Sequence, residues 1–372
     1  MTERTKIMVV GAGHIGTGVC HALAQTPRPL DIVLAGRDED RLTRVVNTAR
    51  FGALARGGTS TVNSVRIDLD DVDHAAEQIA GQRPDIIFAA ASVQSWWELF
   101  TLPKDRFEPL YEAAYGPWLP FHLAPVVKLM KAVRAAGSQA LVVNAAYPDA
   151  VHPLLADQGL SPDVGIGNVA NNVPAVRTIA ADLLGADPAE VVVRFVAHHY
   201  VSHRISRVGD SGGAPFHLTV WLRGERVDLA PEAMFAPLLT THRRLGGLPG
   251  QAMTVASAIS VLEPLATGAT ALAHAPGPHG LVGGYPVRLD SGAIALDLDP
   301  AMDLETAQEI NRVGQRHDGI ATIDDGWVTF EERSAAVLRE HLGYDCSKLH
   351  WSEAADHATE LRHKYIEYQN RA

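Results

Sequence analysis

The chain has 372 residues, 47% of them hydrophobic, which suits one large domain or two ordinary ones. Its formal charge is −11 with no basic block, which argues against nucleic acid or an anionic membrane as partner. No apolar run approaches the ~20 residues of a membrane span, and two cysteines, Cys20 and Cys346, cannot make a disulfide framework, so a reducing cytoplasm is the expected setting.

The first half alternates strand and helix. "KIMVV" (6–10) reads as a buried strand, with no signal peptide expected ahead of it. A helix follows over 15–25, then a strand at 31–35, a polar helix over 38–56, a strand at 62–69 and a helix at 71–80. "PDIIFAAA" (84–91) is the fourth strand, and "ALVVNAA" (140–146) the fifth, after a long helix that ends near Gly137. Continuous apolar strands alternating with amphipathic helices predict a doubly wound parallel sheet covered on both faces.

The texture changes near 150, and a boundary there is expected, with a nucleotide-binding unit over 1–150 and an α+β unit over 151–372. "DVGIGNV" (163–169) is short and broken by glycine. A helix over 174–184 leads into the Val-rich run "AEVVVRFVA", read as a strand running into "HHYVSH". Next come an alternating pair (216–229), a helix near 232–245, a long apolar helix (251–273) and two antiparallel strands (280–298) joined at Asp290–Gly292. Helices over 303–317, 332–343 and 354–368 close the chain.

"VVGAGHIGTG" sets Gly11, Gly13 and Gly16 in G-x-G-x-x-G spacing, directly after a strand and opening a helix. The first glycine permits the tight turn, the second admits a pyrophosphate to the backbone, and the third lets helix pack on strand. That context makes a dinucleotide site of Gly11, Gly13, His14, Ile15 and Gly16, with Ala90 from the fourth strand beside them. An NAD site places Asp or Glu at the end of the second strand for the ribose 2′-OH. Here Gly36 and Arg37 stand there, which suits a 2′-phosphate and predicts NADP over NAD, unless Asp38 reaches the ribose instead.

"FVAHHYVSHR" places His198, His199 and His203 within six positions. On a strand, His199 and His203 are two repeats apart, and no Cys/His/carboxylate cluster accompanies them, so no metal site is expected. Proton transfer is the better use, since a hydride moving to a carbonyl carbon needs a proton for the oxygen.

With these residues in view, the chain resembles the malate/lactate dehydrogenase family over nearly its whole length. "VVNAAYPDAVHPLL" is similar to the family's strand ending in Asn, and "GIGNVANNVPAVRTIAADLLGADPAEVVVRFVAHH" to its catalytic helix, Leu-Gly pair and His-bearing strand. The resemblance implies a Rossmann domain followed by an α+β catalytic domain, a dehydrogenase activity, a homodimer, and His199 as the acid/base. It puts Asn172 where the family has the Asp that orients the imidazole, and Ala175 where it has the Arg that grips a 2-oxo acid. Simple malate or lactate is therefore not the expected substrate, and Asn172 is expected to orient without adding charge. Asn144 is implied at the nicotinamide or substrate oxygen. The helix beginning at Met253 borders the substrate, and "SVQSWWELFTLPKDRF" replaces the family's mobile arginine loop, with Trp96, Trp97 and Phe100 forming an apolar lid or packing into the core, and Arg106 its one arginine.

The stretch "LAGRDEDRL" also resembles saccharopine dehydrogenases. Three readings stay open: an NADP-dependent carbonyl reductase or alcohol dehydrogenase acting on a small molecule, a C–N oxidoreductase of the saccharopine or opine kind, and a cofactor-binding regulator that has lost catalysis.

Overall fold

A computed structural model describes residues 4–370. Its first half is a six-stranded parallel sheet of β1 (Lys6–Val10), β2 (Asp31–Gly36), β3 (Thr61–Arg66), β4 (Ile86–Ala89), β5 (Leu141–Asn144) and β6 (Val164–Gly165). The strand order is β3-β2-β1-β4-β5-β6, with every pairing parallel. β4 is buried end to end, and β1 and β5 are buried beyond their first residue, as continuous apolar strands in a two-sided sheet must be. Between them run α1 (His14–Ala24), α2 (Glu39–Ala55), α3 (Val72–Gln82), α4 (Lys104–Tyr111), α5 (Pro120–Ala135) and α6 (Pro148–Ala156). Because β6 completes the sheet, the parallel layer continues past the change of texture at residue 150.

The second half holds α7 (Val173–Leu184), β7 (Val191–Val196), α8 (His199–Val208), β8 (His217–Leu222), β9 (Glu225–Val227), α9 (Pro231–Phe235), α10 (Gly247–Gly250) and α11 (Ala252–Thr267). β10 (Ala271–Pro276), β11 (Gly284–Asp290), β12 (Ala293–Leu296), α12 (Leu304–His317), β13 (Ile320–Asp324), β14 (Trp327–Phe330), α13 (Glu332–Leu342), β15 (Lys348–His350) and α14 (Ala354–Gln369) come after them. The strands form three separate three-stranded antiparallel sheets in chain order.

Three sequence expectations need correction. The Val-rich strand stops at Val196, and the histidine run begins a helix capped by His198, so His199 and His203 share a helix face after all. The helix near 232–245 is one short helix and a 3₁₀ turn, with residues 240–246 irregular. The long apolar helix ends at Thr267, where Gly268 takes the left-handed conformation (φ 69°), and "ALAHAP" then forms β10. Apolarity alone does not separate that helix from the strand after it.

Two cores flank the parallel sheet. On one face Met8, Val10 and Ile87 pack with α3 and α5, and with Leu361 and Tyr365 of α14, so the C-terminal helix returns to the first half. On the other face Ile7, Val9 and Phe88 pack with α1, α2 and α11 and with Val287 of β11. This interleaving ties both halves to the carboxyl ends of β5 and β6, where a crevice opens. Among the described residues no helix is long and apolar enough to cross a membrane.

Candidate active site

His199 opens α8, and its ring Nδ1 lies 2.9 Å from Oδ2 of Asp318, the residue that ends α12. The same oxygen accepts the Tyr147 hydroxyl at 2.8 Å. Asp318 is nearly buried and sits at a helix C-terminus, where the helix dipole disfavours a negative charge. Burial would raise its pKa, but the charge and hydrogen bond of His199, with His198 and the Tyr147 hydroxyl, hold it below the usual carboxylate value. Burial opposes the charged form of His199, yet Asp318's charge and hydrogen bond, with Asp149's charge, raise its pKa above the ordinary histidine value. Because Nδ1 faces a carboxylate, it carries a proton, and Nε2 is left for chemistry. A quarter of the His199 side chain is exposed, and the exposed part faces a cavity.

That cavity holds about 210 Å³ and opens at the ends of β5 and β6, where Ala145 and Ile166 line it. His199, Asp149, Tyr115, His203 and Arg244 are among its walls. Asp149 is 1% exposed; its Oδ1 accepts the His199 backbone N–H at 3.1 Å and the Asn168 side-chain amide. Burial pushes its carboxyl up to about 7, against the opposing pull of His199. His203 stacks over His199 with ring centroids 6.2 Å apart and bonds Tyr111 through Nδ1 at 3.2 Å. Burial, aided by the His199 charge, lowers its pKa to about 4, so it is a neutral wall. Tyr147 is held at φ 44°, a conformation costly for a bulky residue, and its ring packs edge-on to Tyr115. The residue that delivers a second donor to Asp318 thus carries backbone strain.

The expected orienting residue is displaced. Asn172 spends its amide on Ser202, donating to the backbone oxygen and to the hydroxyl at 2.8 Å each, while Asp318 holds the imidazole. The charge missing at Asn172 is therefore supplied from a different element, 119 residues beyond His199. Asn144 is fully buried and self-contained: Oδ1 accepts the Ala146 N–H at 2.8 Å, and Nδ2 reaches Ala146 O and His152 Nε2. It shapes the turn after β5 and holds His152. Arg106 also leaves the site, since its guanidinium bonds the carbonyls of Tyr368 and Gln369 at the end of α14. Thr254 lines the cavity in place of its neighbour Met253. Trp97 is half-buried and is not part of the cavity wall, while Trp96 packs against Tyr115, Trp118 and Phe100 and so serves packing. Asp149, Asp318 and Arg244 went unread in the sequence. "YPD" and "RHDGI" look like ordinary turn chemistry, and Arg244 lies in a stretch whose pattern predicts helix.

The glycine loop is shaped for an anionic backbone group. Gly11 has φ 112°, and a Cβ there would stand 2.7 Å from Ala91 N and 2.8 Å from the Ala90 carbonyl carbon. At Gly16 a Cβ would meet Gly11 O at 1.8 Å, so helix and loop touch there. At Gly13 it would meet nothing within 4 Å, and no side chain caps the first turn of α1, where His14 and Ile15 lie. Open room before unbonded helix N–H groups fits a pyrophosphate. Asp38 caps α2 by accepting the Arg41 N–H, so its carboxylate is occupied at the point where it was to reach a ribose. Gly36 ends β2, and Arg37 is largely exposed, 3.9 Å from Asp70.

Residues 7–93 match the family described as the saccharopine dehydrogenase NADP binding domain. The chain is an oxidoreductase with an NAD(P)-binding Rossmann domain. In fold, most of the chain is similar to malate dehydrogenase from Cryptosporidium parvum (14% identity, 84% of this chain and 98% of that one, TM-score 0.57). The fold is similar also to malate dehydrogenase from Aeropyrum pernix (12%, 83% and 95%, TM-score 0.56) and to lactate dehydrogenase from Eimeria maxima with NADH and oxamate (15%, 85% and 92%, TM-score 0.55). The fold is that of malate and lactate dehydrogenases: a Rossmann sheet followed by an α+β region with antiparallel sheets. No curated protein matches the chain in sequence.

Proposed function

We propose that the protein is an NADP-dependent oxidoreductase that interconverts a carbonyl and a hydroxyl group, with His199 as acid/base. The observation that carries this reading is the His199–Asp318 pair opening onto the cavity beside β5 and β6. When bound, NADP(H) exchanges a hydride with the substrate carbon. In the reducing direction, His199 donates its Nε2 proton to the carbonyl oxygen, and in the oxidising direction it accepts the hydroxyl proton there. Asp318 stays ionised and stabilises the imidazolium, with Tyr147 fixing the carboxylate. Tyr115 and Tyr147, packed against the His199 ring, exclude water from one side.

The reading as a regulator rests on the departures at Asn172 and Ala175, and Asp318 supplies the charge that Asn172 lacks. A C–N oxidoreductase remains the second reading, favoured by the saccharopine-type match and by the Asp149 carboxyl beside His199, which suits a nitrogen-bearing reactant. NADP preference rests on Gly36, Arg37 and the occupied Asp38 carboxylate. A cytoplasmic homodimer acting on a small molecule completes the proposal, and light scattering gives its mass directly.

The test is His199→Gln. Turnover of NADPH with a panel of oxo compounds is expected to vanish while NADPH affinity persists; unchanged turnover removes His199 from the mechanism. NADPH oxidation that requires an amine together with an oxo acid moves the chemistry to C–N. Exchanging Arg37→Asp should shift preference toward NAD, and no shift refutes the 2′-phosphate assignment.

A further inference from the structure

Arg244 stands in the irregular segment before α10, and nothing in the sequence marks it. Its side chain lines the same cavity as His199 and donates to the backbone oxygen of Asn171. Among the described residues no carboxylate pairs with it, and burial alone lowers its pKa. A partly buried guanidinium with five donors and one backbone acceptor has donors to spare. Arginines are seldom left so inside a cavity unless an anion completes them.

A second observation points the same way. Asn171, also in the cavity wall, gives Nδ2 to the Thr254 hydroxyl at 3.3 Å, and its Oδ1 is buried without a partner. The hydroxyl can donate or accept, so the amide can turn over and still satisfy Thr254. Turned over, it would put a donor at the unpartnered position, in the stretch of cavity wall whose backbone oxygen Arg244 already holds. Three polar groups then converge from three elements: the guanidinium, the Asn171 amide and the Thr254 hydroxyl. His203 lines the same cavity as His199 and Arg244 and feels the charge of both.

We propose that Arg244, with Asn171 and Thr254, anchors an anionic group of the substrate, a carboxylate or a phosphate, so that the rest of the molecule reaches His199. The anchor comes from the loop before α10 and not from the Ala175 position on α7. This inference rests on the oxidoreductase reading for the identity of the occupant as substrate, and its geometry does not depend on His199 chemistry.

The experiment uses the full chain loaded with NADPH and titrates oxalate and, separately, inorganic phosphate by calorimetry. Wild type is expected to bind one of the two, which tells carboxylate from phosphate. Arg244→Gln should weaken that binding about 10- to 100-fold, Arg244→Lys should recover part of it, and NADPH affinity should stay within about twofold. His199→Gln should still bind the anion. Thermal melts check that the variants fold, and Asn171→Ala gives a second readout if Arg244→Gln does not. Anion binding that depends on Arg244, found with no oxo compound reduced, upholds the anchor and sinks the redox reading. Turnover with unchanged KM in Arg244→Gln overturns the anchor and leaves the redox reading intact. Absence of binding by both anions in wild type also overturns it.

Discussion

A single oxygen of Asp318 receives both His199 Nδ1, at 2.9 Å, and the Tyr147 hydroxyl, at 2.8 Å. Two donors on one carboxylate oxygen favour its ionised form, and the ionised form is what keeps the imidazole protonated. Asp318→Asn keeps an acceptor for both donors but removes the charge. His199 should then lose its raised pKa, because the largest opposing influence to burial is gone. Turnover in the reducing direction should fall roughly 10²–10⁴-fold, by analogy with the carboxylate of a hydrolase triad. The alkaline limb of the pH–rate profile should move to lower pH. A variant with reduced rate but an unshifted profile would show that Asp318 only positions the ring.

Asp149 has the opposite character. Burial lifts its carboxyl to about 7, so around neutrality it exchanges a proton beside His199. Its ionised form raises the His199 pKa, so Asp149→Asn should draw the alkaline limb of reduction downward, in the same direction as Asp318→Asn. Stability separates the two. A carboxyl whose folded pKa is raised favours the folded state at low pH, and that contribution disappears as pH climbs from the unfolded value near 4 through about 7. Relative to wild type, Asp149→Asn should therefore gain stability between pH 5 and pH 8 in urea unfolding. A pH-independent difference would place the ionisation elsewhere.

The legible parts of the chain are those set by local chemistry. The strand–glycine–helix start, Gly11 to Gly16, is a contiguous pattern, and the parallel strands are continuous apolar runs. The pairing of Ser291-Gly292 with a hairpin was likewise readable, because a two-residue turn needs residues that accept positive φ. His199 is singled out by the family resemblance, counted from Leu184-Gly185, but its partner is not. Asp318 lies at the end of a helix whose last turn is Arg316-His317, and nothing local distinguishes a capping aspartate from one aimed across the fold. The resemblance puts Asn172 in the orienting position; Ser202 on the facing helix consumes its amide instead. Asn144 shows the reverse case, where a turn residue was read as a ligand. Tertiary satisfaction of polar groups decides such cases, and it is invisible to spacing.

The glycine loop permits a test that separates folding from cofactor binding. A Cβ at position 13 meets no protein atom within 4 Å, so Gly13→Val should leave the melting temperature close to wild type. It fills the room proposed for the pyrophosphate, so NADPH affinity should drop at least roughly tenfold. Gly16→Ala drives a Cβ to 1.8 Å from Gly11 O and should lower stability outright. NADPH fluorescence titration and thermal melts of both variants distinguish the effects. Normal NADPH binding by Gly13→Val would remove the loop from the cofactor site.

Acid should unfold the protein through its histidines. His274 accepts the Phe195 backbone N–H at Nε2, and His152 accepts the Asn144 amide at Nε2 while donating from Nδ1 to the Gly277 oxygen, so both must be neutral in place. Burial lowers His274 and His122 to about 3, and His152, His198 and His203 to about 4. In the unfolded chain each takes up its proton near 6.5. Between that value and the folded pKa the unfolded state binds more protons, so stability falls as pH drops, by about 1.4 kcal/mol per pH unit for each group at the limit. His199 works against this trend, since its raised pKa favours the folded state at acid pH. With six depressed histidines, His217 among them, against one raised, urea unfolding at pH 7.5, 6.0 and 5.0 should show a steep loss that begins well above the carboxylate range. A free energy of unfolding that holds level down to pH 5 would mean that these rings are not buried neutral in solution.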